Sequence, residues 1–216
     1  MIRLAVFDCD GTLVDGQASV CAAMDHAFAA NALSLPDHHR VRRIVGLSLP
    51  QAIRQLLPET DEPTRAAVDA AYREAFRAAR QAGELVEPLF EGIAETIAAL
   101  DMAGWVLGVA TGKSTRGLDH CLATHGLASR FATLQTADHH PSKPHPAMLE
   151  AALAETGAEA GNAVMIGDTQ YDMAMARTAG VRAIGVDWGY HTRAELFDAG
   201  ADAIALTPHH LLELLP

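Results

Sequence analysis

The sequence predicts an α/β fold, a doubly wound parallel sheet whose chain is interrupted by an all-helical insert. Three observations point there. Short apolar runs bounded by acids or turn residues occur at 4–7, 105–110, 132–135, 163–167, 183–186 and 203–206. Beyond Pro88, stretches with helical periodicity such as 146–155 and 171–178 separate these runs, and alternating strands and helices imply a parallel sheet. Between about 16 and 88 the alternation stops and only helical periodicity remains. The expected organisation is a Rossmann-like core from 1–15 and 89–216, with a helical cap at 16–88.

The first run ends in Asp8-Cys9-Asp10-Gly11-Thr12. Open α/β sheets gather ligands at the C-terminal ends of their strands. Residues two apart on extended backbone point the same way, so Asp8 and Asp10 face one site and Cys9 turns away into the core. Two carboxylates that close repel, and need a metal or a shared proton. Solvated acids ahead of a turn are the plain alternative. Farther on, Val20, Met24 and Phe28 recur every four residues and give an apolar helical face. Pro36 and Asp37 punctuate, a second segment runs through Val41, Ile44 and Val45 to Gly46, and a third covers about 50–57 before Pro58. Thr60-Asp61-Glu62-Pro63 reads as a helix start, with acids near the positive end of the dipole. The helix at about 64–81 carries Val68, Tyr72, Phe76 and Ala79 on one side. Arg65, Asp69, Arg73, Arg77 and Arg80 dominate the rest, which reads as a solvated face. The two tethers of the insert, 15–19 and 84–91, lie close to Gly16, Gly83 and Pro88 and suit hinges.

Bulk properties narrow the function classes. A net charge of −11 opposes binding to nucleic acid or an anionic membrane surface, since either needs a basic stripe. No apolar run approaches the ~20 residues that span a bilayer, and residues 1–7 are too short for a secretory apolar region. Cys9, Cys21 and Cys121 form no C-x-x-C pair and read as reduced thiols. The expected compartment is the cytoplasm.

Further chemistry-bearing residues follow in order. Ala110-Thr111-Gly112-Lys113-Ser114 closes the second run; Ser142-Lys143-Pro144-His145-Pro146 forms a loop; Gly167-Asp168-Thr169-Gln170-Tyr171-Asp172 closes another run with an acid. With Asp8 and Asp10 these give the order Asp-x-Asp, Thr, Lys, Gly-Asp-x-x-x-Asp, and the chain here resembles the haloacid dehalogenase superfamily of phosphotransferases. The resemblance extends over essentially the whole chain. Lys113-Ser114 mimics the end of a P-loop, but position 107 is Leu where the first glycine belongs. His139, His140 and His145 flank Lys143 without a usual zinc spacing.

The resemblance implies a role for each residue. Asp8 is the expected nucleophile, forming an aspartyl-phosphate, and Asp10 the acid and base for the leaving oxygen and the water. Thr111 and the Gly112 amide hold phosphoryl oxygens, and Lys143 neutralises them together with Asp8. Mg²⁺ is the expected cofactor, held by Asp8, Asp168 and the Asp10 backbone carbonyl. Thr12 supports the turn, and Asp172 orients a metal-bound water or pairs with Lys143. An acid at Asp10 and the lack of lysine before Gly83 disfavour dehalogenating and phosphonate-cleaving branches.

Arg42, Arg43 and Ser48 fall in a cap segment similar to the substrate-facing part of phosphoglycolate phosphatases. An arginine fork there suits a carboxylate, although both arginines equally suit a solvated cap helix. The expected activity is a Mg²⁺-dependent phosphatase for a small phosphorylated metabolite, phosphoglycolate-like first. A phosphosugar mutase and a sugar or nucleotide phosphatase share the same core. A non-enzymatic scaffold would usually have lost an acid or the lysine, and none is missing.

Overall fold

The computed structural model describes residues 1–215. Six strands, β1 (Leu4–Phe7), β2 (Val106–Thr111), β3 (Thr133–Thr136), β4 (Ala163–Gly167), β5 (Arg182–Val186) and β6 (Ala203–Ala205), form one parallel sheet in the order β3-β2-β1-β4-β5-β6. Each sequence-predicted run lies within a residue of its strand. The second strand extends to Thr111, so the threonine belongs to the strand end rather than to the loop beyond it. β1 pairs with β2 on one side and β4 on the other, Phe7 standing opposite Val109 and Ile166. The strand order therefore reverses beside β1, and the crevice at a reversal is where open sheets bind ligands.

Between β1 and Pro88 come four helices, α1 (Gln17–Ala30), α2 (His38–Arg43), α3 (Leu49–Leu56) and α4 (Glu62–Ala82), with no strand among them. The Asp61 carboxylate accepts from the Thr64 amide and starts α4, and Gly83, left-handed at φ 71°, ends it. These helices bury a cluster of their own that includes Met24, Phe28, Val41, Ile53 and Val68. The two tethers run side by side: the Asp15 amide donates to the Pro88 carbonyl at 2.8 Å and the Phe90 amide to the Leu13 carbonyl at 3.1 Å. The insert thus leaves and rejoins the sheet through one narrow neck.

The remaining helices are α5 (Ile93–Met102), α6 (Thr115–Thr124), α7 (Ala147–Thr156), α8 (Gln170–Ala179), α9 (Arg193–Ala199) and α10 (His210–Leu214). They cover both faces of the sheet. Phe7, Leu107, Val109, Ile97 and Leu118 pack on one side, and Leu4, Val6, Met165, Met148 and Met173 on the other. This near-continuous burial of the strands explains their unbroken apolar runs. Cys9 is buried on the first side with its sulfur 3.9 Å from that of Cys121, and all three cysteines are free. No helix among the described residues is long and apolar enough to cross a membrane.

Candidate active site

Asp8 directly follows β1, and its amide donates to the Ile166 carbonyl at 2.8 Å, which extends the ladder by one residue. Asp168 follows β4 in the same way. The two acids therefore meet at the strand reversal. Asp172 joins them from the first turn of α8, where it forms a capping box with Thr169. Ligand oxygens of Asp8, Asp168 and Asp172 lie within 4.8 Å of one another, and all three residues are buried.

Lys143 reaches this cluster from the loop between β3 and α7. Its Nζ donates to Asp172 Oδ1 at 2.6 Å and lies 2.9 Å from Asp8 Oδ1, its side chain wholly buried. Asp168 is held by two donors, the Thr12 hydroxyl to Oδ1 at 3.2 Å and the Tyr190 amide to Oδ2 at 2.9 Å. Gly11 and Gly189 pack so closely on the Asp168 carboxylate that neither has room for a Cβ.

The electrostatics are unbalanced. Three buried carboxyl groups face one ammonium, so full ionisation would leave two negative charges without a counterpart. Burial pushes the Asp8 carboxyl up to about 7, with the Asp172 and Asp10 charges adding to it against the pull of Lys143. Burial, then Asp8, raises Asp168 as well. Burial also works against the charge of Lys143, but Asp172 and Asp8 outweigh it and keep the amine protonated. Neither oxygen of Asp8 has a hydrogen bond of good geometry. Free oxygens, excess negative charge and an all-carboxylate donor set fit a hard divalent cation.

Asp10 is part of a second cluster. Lys113 Nζ donates to both its oxygens, at 2.8 and 3.0 Å, and to Glu87 Oε1 at 2.7 Å. Lys113 follows Thr111 and Gly112, and its own amide donates to the Thr111 hydroxyl at 3.2 Å. Over Gly112 lies the loop between α2 and α3: a Cβ there would fall within 3 Å of the Gly46 carbonyl oxygen. Gly46, left-handed at φ 94°, brings that loop over Asp8 Oδ2 and Thr169. The Ser48 amide donates to the Ser142 hydroxyl at 2.9 Å and fastens the loop to the core.

A family of known proteins matches this arrangement. Residues 5–186 fit the family described as haloacid dehalogenase-like hydrolase. The chain belongs to that family. It is 39% identical over 213 residues to "Probable phosphatase IndB" of Dickeya dadantii, covering 96% of this chain and 90% of that one. It is 28% identical over 222 residues to a phosphoglycolate phosphatase of Vibrio vulnificus, covering 99% and 96%. A solved structure described as a predicted phosphatase from Clostridium acetobutylicum superposes with a TM-score of 0.89 at 25% identity, covering 100% and 98%. The protein is a phosphoric monoester hydrolase of this family.

A cavity of about 770 Å³ opens between insert and core. Asp10, Gly112, Lys113 and Ser48 line it; Arg42 and Arg43 do not. Arg43 forks onto Glu195 of α9, with Nη1 to Oε2 at 2.9 Å, and this pairing holds the glutamate down at about 2. Arg42 faces the Gln17 side chain. The cationic insert residues along the cavity are instead Arg73, Arg77 and Arg80 of α4; Arg73 and Arg77 are at the same time exposed, as their reading as a solvated face expects. Tyr72 and Phe76 line it beside them. Sequence reasoning also passed over Lys113 and Glu87. The one signal the sequence offers is the Thr-Gly-Lys order at the end of a strand, which by itself resembles only a broken P-loop. The loop histidines turn elsewhere: His140 Nε2 bonds Gln135 Oε1 at 2.7 Å, and His145 Nδ1 accepts from the Ala147 amide.

Proposed function

We propose that this hydrolase is a Mg²⁺-dependent phosphatase that cleaves a phosphorylated metabolite through a phosphoryl group carried on Asp8. The observation that carries the reading is the buried convergence of Asp8, Asp168 and Asp172 on the one amine of Lys143. Asp8, Asp168 and the Asp10 carbonyl would hold the ion. When bound, Mg²⁺ neutralises phosphoryl oxygens and screens the repulsion between Asp8 and its substrate.

Asp8 Oδ2 faces the cap loop at Gly46, while Oδ1 is taken up by Lys143. Oδ2 is thus the attacking oxygen. It bonds to phosphorus as the bond from phosphorus to the leaving oxygen breaks, and that oxygen takes a proton from Asp10. Water then attacks the aspartyl-phosphate, Asp10 takes its proton, and inorganic phosphate leaves with the Asp8 carboxylate restored. Thr111 and the Gly112 amide orient the phosphoryl oxygens. Lys143 spreads its charge between Asp8 and the transferred group, and Asp172 fixes its amine. Lys113 holds Asp10 in place and ties it to Glu87 in the returning tether.

Residues 16–88 act as a cap that closes on the core of 1–15 and 89–216. Their narrow double tether and separate apolar cluster support this division. Phosphoglycolate, named for the Vibrio relative, is the first substrate to assay. A phosphate-release screen over phosphorylated metabolites, with and without Mg²⁺, tests the reading. Metal-dependent release that Asp10→Asn lowers by ~10²–10⁴-fold is expected. Release that persists in excess chelator would refute it.

A further inference from the structure

The cavity is far larger than a two-carbon acid requires. Openings of ~300–1,000 Å³ hold drug-sized ligands, and this one measures about 770 Å³. Its cap wall is α4. Tyr72, Phe76 and Arg80 succeed one another every four residues, and Arg73 and Arg77 form the neighbouring row, so all five address the same space. From Tyr72 to Arg80 the helix rises about 12 Å. The Tyr72 and Phe76 rings lie together, centroids 5.0 Å apart, and with Val20 and Met24 give the cavity an apolar, aromatic flank.

The charges in this lining do not cancel. Arg73 is paired with Asp69, Arg77 with Glu74, and Lys113 with Asp10 and Glu87. The lining acids are engaged too: Asp10 and Glu74 in those pairs, and Asp138 by the Thr115 amide at 2.8 Å. Arg80, on the cap side, and Arg116, on α6 of the core, have no carboxylate partner among the described residues. The Arg80 Nε is buried without a hydrogen bond. A guanidinium fork left open in a cavity is a site for a planar or tetrahedral anion.

We propose that the leaving-group side of the cleft takes a ring-bearing phosphate monoester with a second anion, carboxylate or phosphate. The ring packs on Tyr72 and Phe76, and Arg80 and Arg116 supply the free guanidinium groups for that anion. This inference rests on the phosphatase reading and names its substrate class. It ranks phosphoglycolate, which has the second anion but no ring, below larger esters.

Matched probes test it. Glucose 1-phosphate supplies the ring alone, glucuronic acid 1-phosphate adds a carboxylate, and glucose 1,6-bisphosphate adds a phosphate. Phosphoglycolate supplies the anion without the ring, and p-nitrophenyl phosphate reports phosphatase activity as such. At least one doubly anionic sugar should exceed both glucose 1-phosphate and phosphoglycolate by about 10–100-fold in kcat/KM, the range that one to two charged hydrogen bonds give. Which one does so distinguishes carboxylate from phosphate. Arg80→Ala and Arg116→Ala should shrink that ratio, whereas Arg54→Ala, on α3 and paired with Glu62 outside the cavity, should preserve it. A wild-type ratio near one, phosphoglycolate as the best substrate, or a ratio that survives both substitutions overturns the inference while p-nitrophenyl phosphate turnover upholds the phosphatase reading. No release from any probe overturns the reading itself.

Discussion

The two sides of the cleft are built on opposite rules. On the phosphoryl side Asp8, Lys143, Asp168 and Asp172 are buried at strand ends and adjoining turns, and each is fixed by backbone or by another of the four. On the leaving-group side Arg73, Arg77 and Arg80 stand along one face of α4, and only Val68 of that helix is fully buried. In the proposed reaction the group common to every substrate is met by buried side chains held in place by strand ends, turns and one another. The variable group is met by a helix face whose side chains can be exchanged at little cost to the fold.

The strongest way to break this contrast is Asp8→Asn. If Asp8 is the nucleophile, turnover should fall by at least about 10⁴-fold on every substrate. The same change removes a buried charge that the metal-free protein holds unfavourably, so the metal-free variant should melt higher than the wild type. Activity near wild type would remove Asp8 from the chemistry, and a large fall in melting temperature would mean that its charge stabilises the fold.

Removing the metal probes the same side through pH. The Asp8 carboxyl rises from 3.8 to about 7 in the folded chain without metal, and Asp168 is raised too. Folded protein then holds protons that the unfolded chain has released, so its stability falls as pH climbs from about 4 through 7 and stays lower above. Metal binding needs the ionised carboxylates and offsets that loss. Chelation should therefore lower the melting temperature more at pH 8 than at pH 5. Equal shifts at the two pH values would show that the cluster does not hold the ion.

A smaller effect is expected where the two sides touch. Gly112→Ala would drive a methyl group into the Gly46 and Leu47 carbonyls of the cap loop. The clash lies between cap and core, so opening the neck relieves it without unfolding either. A fall in kcat/KM of roughly 10²-fold is expected from misplaced closure, common to all substrates. Calorimetry should find the melting temperature nearly unchanged. A fall in stability with activity intact would place the strain inside the core.

The contrast also explains what the sequence made legible. Asp8 and Asp168 each follow a buried apolar run, and Phe7 stands opposite Ile166, so spacing along two strands becomes proximity in space. Asp172 was readable as a helix-start acid and as a partner for Lys143, and it occupies both positions at once. Lys113 was not readable in this way: its partners Asp10 and Glu87 lie 103 and 26 residues away and meet it only when the neck of the insert closes. The α4 arginines were hidden for a different reason. Helical period groups Arg73, Arg77 and Arg80 on adjoining rows, but a row of arginines facing a cleft has the same spacing as one facing solvent. What decides between them is the direction in which the insert packs, and no local pattern encodes that.

Arg43→Ala is the smallest and most selective test of the division. Arg43 was expected to share in gripping a substrate carboxylate, yet its guanidinium is spent on Glu195, outside the cavity. Its carbonyl is a further dock between cap and core, accepting from the Tyr171 hydroxyl at 3.4 Å and lying 3.2 Å from His191 Nε2. The substitution leaves that carbonyl in place and removes only the ion pair. Arg43 and Glu195 side chains are 26% and 38% exposed, so solvent screens the pair and its loss should cost roughly 0.2–1 kcal/mol. The cap then closes slightly less often, and kcat/KM should decline within about threefold, by the same factor for glucose 1-phosphate as for glucuronic acid 1-phosphate. Arg80→Ala must instead separate those two substrates. A carboxylate-selective loss in Arg43→Ala would bring that side chain into the binding wall and end the assignment of the second anion to Arg80 and Arg116.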